Sequence, residues 1–389
     1  MQRCRLWGRV SMTGKVQVRI VGSAEVPYTR HPADDVSTES LLADAFVRAL
    51  ADAGIDRSSV DGLGVASFML PPDRAIDLAW KLGVRARWLM DDGNGGASGI
   101  QLLQHAIRAI EAGDATTIVL VSGDHFDADG FRQMVDRYNR VTEKYLAKIP
   151  TGGPNPLFAM ITRKQMEERG LAREDYGRLV VAQRRWATLN PGAVYRSPLT
   201  LDEYMDAPVV AEPLHRLDCV PVVSGADALV VSGSGDGVKV RALRAAYNYD
   251  GQRGDGLRTG IAEIADDLWS DAGVGPEDVD VISVYDDYPA MAVAQLDDLG
   301  LVPDGDISGF LRRRVEDERL PVNTSGGQLS AGQAGCAGGM IGLVEAVTQL
   351  TGRAGDRQVE NARLAVVTGY GMVLYRYGGC ANAVVLEEP

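Results

Sequence analysis

The residues best suited to moving protons lie in three short segments. Tyr285-Asp286-Asp287-Tyr288 places two phenols and two carboxylates directly after an apolar run, 279–284, that reads as a strand ending near a ligand-bearing sheet edge. Gly332-Gln333-Ala334 offers a neutral amide inside a glycine-rich stretch, and Tyr370 interrupts what reads as a tight glycine loop, Thr368-Gly369-Tyr370-Gly371-Met372. A phenol, with an ordinary pKa of about 10, serves as acid or base once a neighbouring charge shifts it, so these types support general acid–base chemistry. Asp286 reads as a structural acid and Asp287 as a group that tunes a tyrosine. Metal chemistry has no comparable support. Cys4, Cys219, Cys336 and Cys380, and His31, His105, His125 and His215, lack metal-ligand spacing. Four cysteines in 389 residues form no disulfide framework, and Cys336, among small residues, reads as packing. No metal and no cofactor is expected in this chain.

An internal repeat must position these segments. Asp52, Gly54, Val60 and Asp61 recur as Asp271, Gly273, Val279 and Asp280 at a constant offset of 219. Each copy reads as an amphipathic helix, a glycine cap, a short loop and a strand. Each continues into a glycine-rich loop that opens a helix, Gly95-Gly96-Ala97-Ser98-Gly99 and Cys336-Ala337-Gly338-Gly339. An apolar strand ending at glycine follows, at 117–123 and at 364–369. Strands alternating with helices at these lengths predict α/β units with largely parallel pairing, and two tandem units predict a pseudo-symmetric fold with two sheets. The expected halves are 1–235 and 236–389. Glycine supports this reading, since 45 glycines cluster at 93–99 and 326–342, where a backbone must approach a ligand or another backbone closely.

Composition narrows the partners. Forty basic against 53 acidic side chains give a net charge of −13, which disfavours nucleic acid and anionic membrane surfaces. Residues 1–14 are broken by arginines and hold no signal-peptide core, and Met12 is a second candidate start. The longest uncharged stretch, 322–344, is too rich in Gly, Ser, Asn and Gln for a membrane helix, so a cytoplasmic protein is expected. An insertion at about 126–223 separates the halves and carries Arg132, Arg137, Arg140, Lys144, Lys148, Arg184, Arg185 and Arg196. These read as solvated faces or as a basic cap for ligand phosphates.

Pro321-Val322-Asn323-Thr324-Ser325-Gly326-Gly327-Gln328-Leu329-Ser330, the glycine run 332–339, Asn190-Pro191-Gly192 and Glu212-Pro213-Leu214 with Asp218-Cys219 complete a pattern spanning nearly the whole chain. It resembles the thiolase superfamily, in its sterol-carrier-protein-X or lipid-transfer branch. The resemblance implies a five-layered αβαβα fold with a central loop domain, a homodimer and acyl-coenzyme A substrates. It also makes the departures visible. The position matching the nucleophilic cysteine of a thiolase is Gly96, and no cysteine lies between Cys4 and Cys219. Gln333 stands where the family has a Gly-His-Pro histidine, and Tyr285-Asp286-Asp287-Tyr288 replaces His-Asp-Cys-Phe. An acyl-enzyme on cysteine is therefore not expected. The pattern resembles the actinobacterial steroid side-chain-cleaving aldolases, which implies retro-aldol cleavage of a β-hydroxyacyl-CoA to a ketone and propionyl-CoA. It also implies a small OB-fold, zinc-ribbon partner belonging to an acyl-CoA hydratase. Tyr370, Tyr288, Tyr285, Gln333 and Asp287 are then the expected catalytic residues, with Gly96, Asn94, His125, Gly332 and Gly371 holding the substrate. Glycine at 96 would clear space for the alcohol carbon. A non-catalytic scaffold subunit and a lipid carrier are the competing readings.

Overall fold

A computed structural model describes residues 16–70, 73–126, 128–137, 139–146, 148–149, 153–251, 254–374 and 377–389. The reading of residues 1–14 lies outside these. The first half contributes β1 (Arg19–Thr29), β2 (Gly62–Ala66), β3 (Trp88–Asp92) and β4 (Thr117–Asp124). A small hairpin, β5 (Val209–Ala211) with β6 (Leu214–His215), precedes β7 (Ser224–Ser232). The second half supplies β8 (Val238–Tyr247), β9 (Val281–Ser283), β10 (Leu364–Leu374) and β11 (Tyr377–Glu387).

The two ladders run in the order β3-β2-β4-β7-β1 and β8-β11-β10-β9. In the first, β2 is parallel to β3 and β4; in the second, β9 is parallel to β10, while β7 and β11 run antiparallel to their neighbours. The two expected sheets meet at one edge. Arg19 and Ile20 of β1 pair with Lys239 and Val238 of β8, joining them into one nine-stranded hydrogen-bonded array. The repeat holds at atomic detail. Asp61 accepts from the backbone N–H groups of Thr116 and Thr117, and Asp280 accepts likewise from Arg363 and Leu364.

Side-chain alternation along the strands produces the layers. Ile118 and Leu120 of β4 face inward, as do Val281, Val367 and Val384, onto Ile100, Leu103, Leu343 and Val347 of the helices Ser98–Ala112 and Ile341–Leu350. Val119 and Val121 face outward onto Leu42, Phe46 and Leu78 of the helices Thr38–Ala53 and Arg74–Leu82. Ile282, Val366 and Val385 face Leu179, Leu268 and Leu296 on the other side. Helix, sheet, paired central helices, sheet and helix make five layers.

Leu179 belongs to the helix Arg173–Leu189, so the insertion is built into an outer layer rather than standing apart as a cap. This also places four of its basic residues. The Arg184 Nε donates to Ser330 Oγ at 2.9 Å and Arg185 donates to the Glu316 carbonyl, so both hold the fold. The exposed Arg132 and Arg140 pair with Asp129 and Glu143.

Candidate active site

The two glycine-rich loops meet beneath the sheet ends. A Cβ on Gly99 would overlap the Gly339 carbonyl, and one on Gly339 would press on Gly96. The clustered glycines thus serve the approach of one backbone to another. Asn382, fully buried on β11, donates from Nδ2 to the Ala97 carbonyl at 2.9 Å and ties the first loop down.

Tyr285 is fixed from three sides. Its N–H donates to Thr368 Oγ1 at 3.1 Å, Thr368 donates to Gln295 Oε1 at 2.6 Å, and Gln295 Nε2 donates to the Tyr285 carbonyl at 2.7 Å. The preceding residue, Val284, exchanges two hydrogen bonds with the side chain of Asn323, which acts as a short strand edge. Held this way, the Tyr285 ring lies over Gly96. A Cβ at position 96 would overlap that ring and the Tyr370 carbonyl oxygen. The expectation that glycine at 96 leaves room for an alcohol carbon is therefore corrected: the phenol fills the vacated space.

A cavity of about 670 Å³ opens above this floor. Gly96, Tyr285, Asp287, Tyr288, Gln333, Tyr370 and Gly371 all line it. Asn94, His125 and Gly332 do not. The Asn94 amide binds Gln101 and Asp92, the His125 N–H donates to Thr38 Oγ1, and Gly332 packs where a side chain would strike Val223. Tyr370 is also not in a loop. It lies within β10, paired with Ala381, because β10 and β11 continue past Gly369 as a hairpin. Its ring covers Gly378, where any side chain would collide with it.

The walls were not visible as a site in the sequence. Phe126, Phe131, Met134, Val135, Leu157 and Phe158 come from the insertion and make the cavity predominantly apolar. The Tyr288 hydroxyl donates to Asn155 Oδ1 at 2.6 Å, and its ring stacks on Phe158 with centroids 3.9 Å apart. Local spacing carries no signal for a pairing between residues 133 positions apart.

The electrostatics separate the groups by role. Burial, reinforced by Asp287, Asp286 and Cys336, pushes the Tyr285 phenol well above its ordinary value, so it stays protonated and donates. Burial, with Asp286 beside it, also raises the Asp287 carboxyl well above the usual range. Its Oδ1 has no hydrogen-bond partner among the described residues. Asp287 lines the cavity, and the raised proton affinity of its carboxyl makes the ionised form the stronger base. Burial raises the Cys219 thiol to about 12, that of Cys380 to about 11 and that of Cys336 well upward. Among the described residues, no thiol has the depressed pKa of a nucleophile. Among the described residues, no group of His, Cys, Asp and Glu could hold a metal.

Comparison with known proteins gives one consistent fold. Residues 246–380 match the family described as thiolase C-terminal domain-like. The chain superposes on a solved Ltp2-ChsH2(DUF35) aldolase with a TM-score of 0.80 at 24% identity, covering 96% of this chain and 98% of that one. The chain has a thiolase-like fold. It is 29% identical over 364 residues to a steroid side-chain-cleaving aldolase from Thermomonospora curvata, covering 85% of this chain and 90% of that protein. It is 29% identical over 384 residues to the 17-hydroxy-3-oxo-4-pregnene-20-carboxyl-CoA lyase of Mycobacterium tuberculosis, covering 92% and 97%. A monomeric SCP2-thiolase like protein from Mycobacterium smegmatis shares the fold, with a TM-score of 0.73 at 17% identity over 97% of this chain and 79% of that one. No helix among the described residues is long and apolar enough to cross a membrane.

Proposed function

We propose that this thiolase-like protein is a carbon–carbon lyase that cleaves a β-hydroxyacyl-CoA, a 17-hydroxy steroid C20-carboxyl-CoA, by a retro-aldol reaction. The observation that carries the reading is the Tyr285 ring standing where a nucleophile on residue 96 would project. The scaffold keeps its layers and glycine loops but offers a phenol in place of a thiol. The relatives named for steroid side-chain cleavage and carboxyl-CoA lysis support the substrate class, as does a predominantly apolar cavity of about 670 Å³.

The chemistry closes without an acyl-enzyme. Asp287, in its ionised form, takes the proton of the tertiary β-hydroxyl, the bond between the α- and β-carbons breaks, and the hydroxyl carbon becomes a ketone. The electron pair moves into the thioester as an enolate, which the Tyr285 hydroxyl stabilises by hydrogen bonding. Tyr370, whose ring centroid lies 6.4 Å from that of Tyr285, protonates the α-carbon and yields propionyl-CoA. The chain would work as a homodimer with a small OB-fold, zinc-ribbon partner, in line with the DUF35 protein in the solved aldolase. It would act in the cytoplasm and require no cofactor beyond the coenzyme A of its substrate.

Incubation with the 17-hydroxy steroid CoA thioester, with and without such a partner, should release propionyl-CoA and the 17-ketone. Tyr285→Phe and Tyr370→Phe should each lower kcat by about 10²-fold or more while leaving KM within a few fold. No turnover even with the partner would leave a scaffold subunit. Binding of free sterol without coenzyme A would leave a carrier.

A further inference from the structure

A hydrogen-bonded chain runs behind the cavity floor, and its inner members do not reach the cavity. Gln328, fully buried on the short helix Gly327–Ala331, donates its backbone N–H to Asp286 Oδ1 at 2.9 Å, and its Nε2 faces the same oxygen at 3.5 Å. Asp286 also accepts from Gln183 Nε2 at 3.0 Å and from the Leu329 N–H at 3.4 Å. On its other side, Gln328 Oε1 accepts from Gln333 Nε2 at 2.9 Å, and that same nitrogen donates to the Tyr285 hydroxyl oxygen at 3.0 Å.

We propose that Gln328 is a positioning residue: anchored on Asp286, it holds the Gln333 amide in the orientation that turns the phenolic proton of Tyr285 toward the cavity. The polarity follows from donor and acceptor inventories. Both oxygens of Asp286 already accept N–H groups, Oδ1 from the Gln328 backbone and Oδ2 from Gln183 and Leu329, so it presents acceptors to the Gln328 amide nitrogen and leaves the amide oxygen facing Gln333. An oxygen there selects the nitrogen of Gln333, which then also donates to the phenol. The Tyr285 oxygen is an acceptor along that line, so its own proton points elsewhere, and the cavity it lines is the open direction. A flipped Gln333 would present its oxygen and draw the phenolic proton away from substrate. Among the described residues, the Gln328 oxygen is the acceptor that selects the amide nitrogen of Gln333. The proposal rests on the reading above only for the step that Tyr285 serves.

The test is spectroscopic and needs no substrate. In protein labelled with ¹³C at tyrosine Cζ, the Tyr285 resonance is identified by its loss in Tyr285→Phe. That carbon reports whether the hydroxyl accepts or donates. Gln328→Leu should move the resonance in the same direction as Gln333→Leu, with kcat reduced about tenfold and KM unchanged if the chain turns over the steroid thioester. A Tyr285 resonance unchanged in Gln328→Leu overturns the proposal, whether or not the wild type is active. Should the leucine variant not fold, Gln328→Met, unbranched and of the same length, is measured against the same criterion. Absence of wild-type turnover with a shifted resonance would refute the functional reading and leave the positioning role standing.

Discussion

Replacing Gly96 by alanine puts a methyl group into volume held by the Tyr285 ring and the Tyr370 carbonyl oxygen. Overpacking of this kind costs about 1–3 kcal/mol, so Gly96→Ala should lower the denaturant midpoint measurably. Tyr285→Ala removes the ring but not the carbonyl, and the two changes should therefore couple by about 0.5 kcal/mol or more in a double-mutant cycle. Strict additivity would mean that the ring and position 96 do not compete for space. At this scale the sequence was informative about residue types and silent about who meets whom. Tyr285, Gln333 and Tyr370 stood out as phenols and an amide in a glycine-rich setting. Gln328 did not, because its role depends on Asp286 and Gln333 lying on opposite sides of it, which only packing decides.

Among the elements, the repeated aspartates make the sharpest comparison. Asp61 and Asp280 each accept two backbone N–H groups where β4 and β10 begin, tying the start of one strand to the approach of its parallel neighbour. Asp61→Ala and Asp280→Ala should each remove hydrogen bonds at a partly exposed strand start and cost about 0.5–1.5 kcal/mol in urea unfolding. The two costs should be alike. A loss confined to one half would show that the symmetry is geometric but not energetic. This correspondence was legible beforehand, because a constant offset with no gap survives only where helix, cap and strand lengths are kept together. The continuation of β10 through Tyr370 was not legible. Gly369 and Gly371 read as a loop locally, and pairing with β11 overrides that preference.

For the whole molecule, buried carboxylates set the response to pH. Burial raises Asp286 to about 7, and Asp124 and Asp298 to about 6, from 3.8 in the unfolded chain. A carboxyl raised on folding is protonated in the folded state while the unfolded chain has already lost its proton. Its stabilising contribution is therefore complete below about pH 4 and is lost as the pH rises through 6 and 7. The exposed carboxylates that are lowered instead, such as Asp306 beside Arg313 and Glu203 at a helix cap, act below their unfolded values, outside this window. Thermal unfolding should thus give a higher midpoint at pH 5 than at pH 8. The opposite order would show that these groups are ionised in the folded protein at pH 5.

What the sequence determined by itself was the repeat, the two glycine loops, the α/β class and the segments carrying phenols. Each of these is a local pattern or a fixed spacing along the chain. Three matters were left to the tertiary structure: the phenol in the space above Gly96, the orphaned oxygen of Asp287, and the apolar walls contributed by the insertion. They depend on contacts between residues far apart in the chain, where side-chain volume and hydrogen-bond polarity, rather than periodicity, select the arrangement.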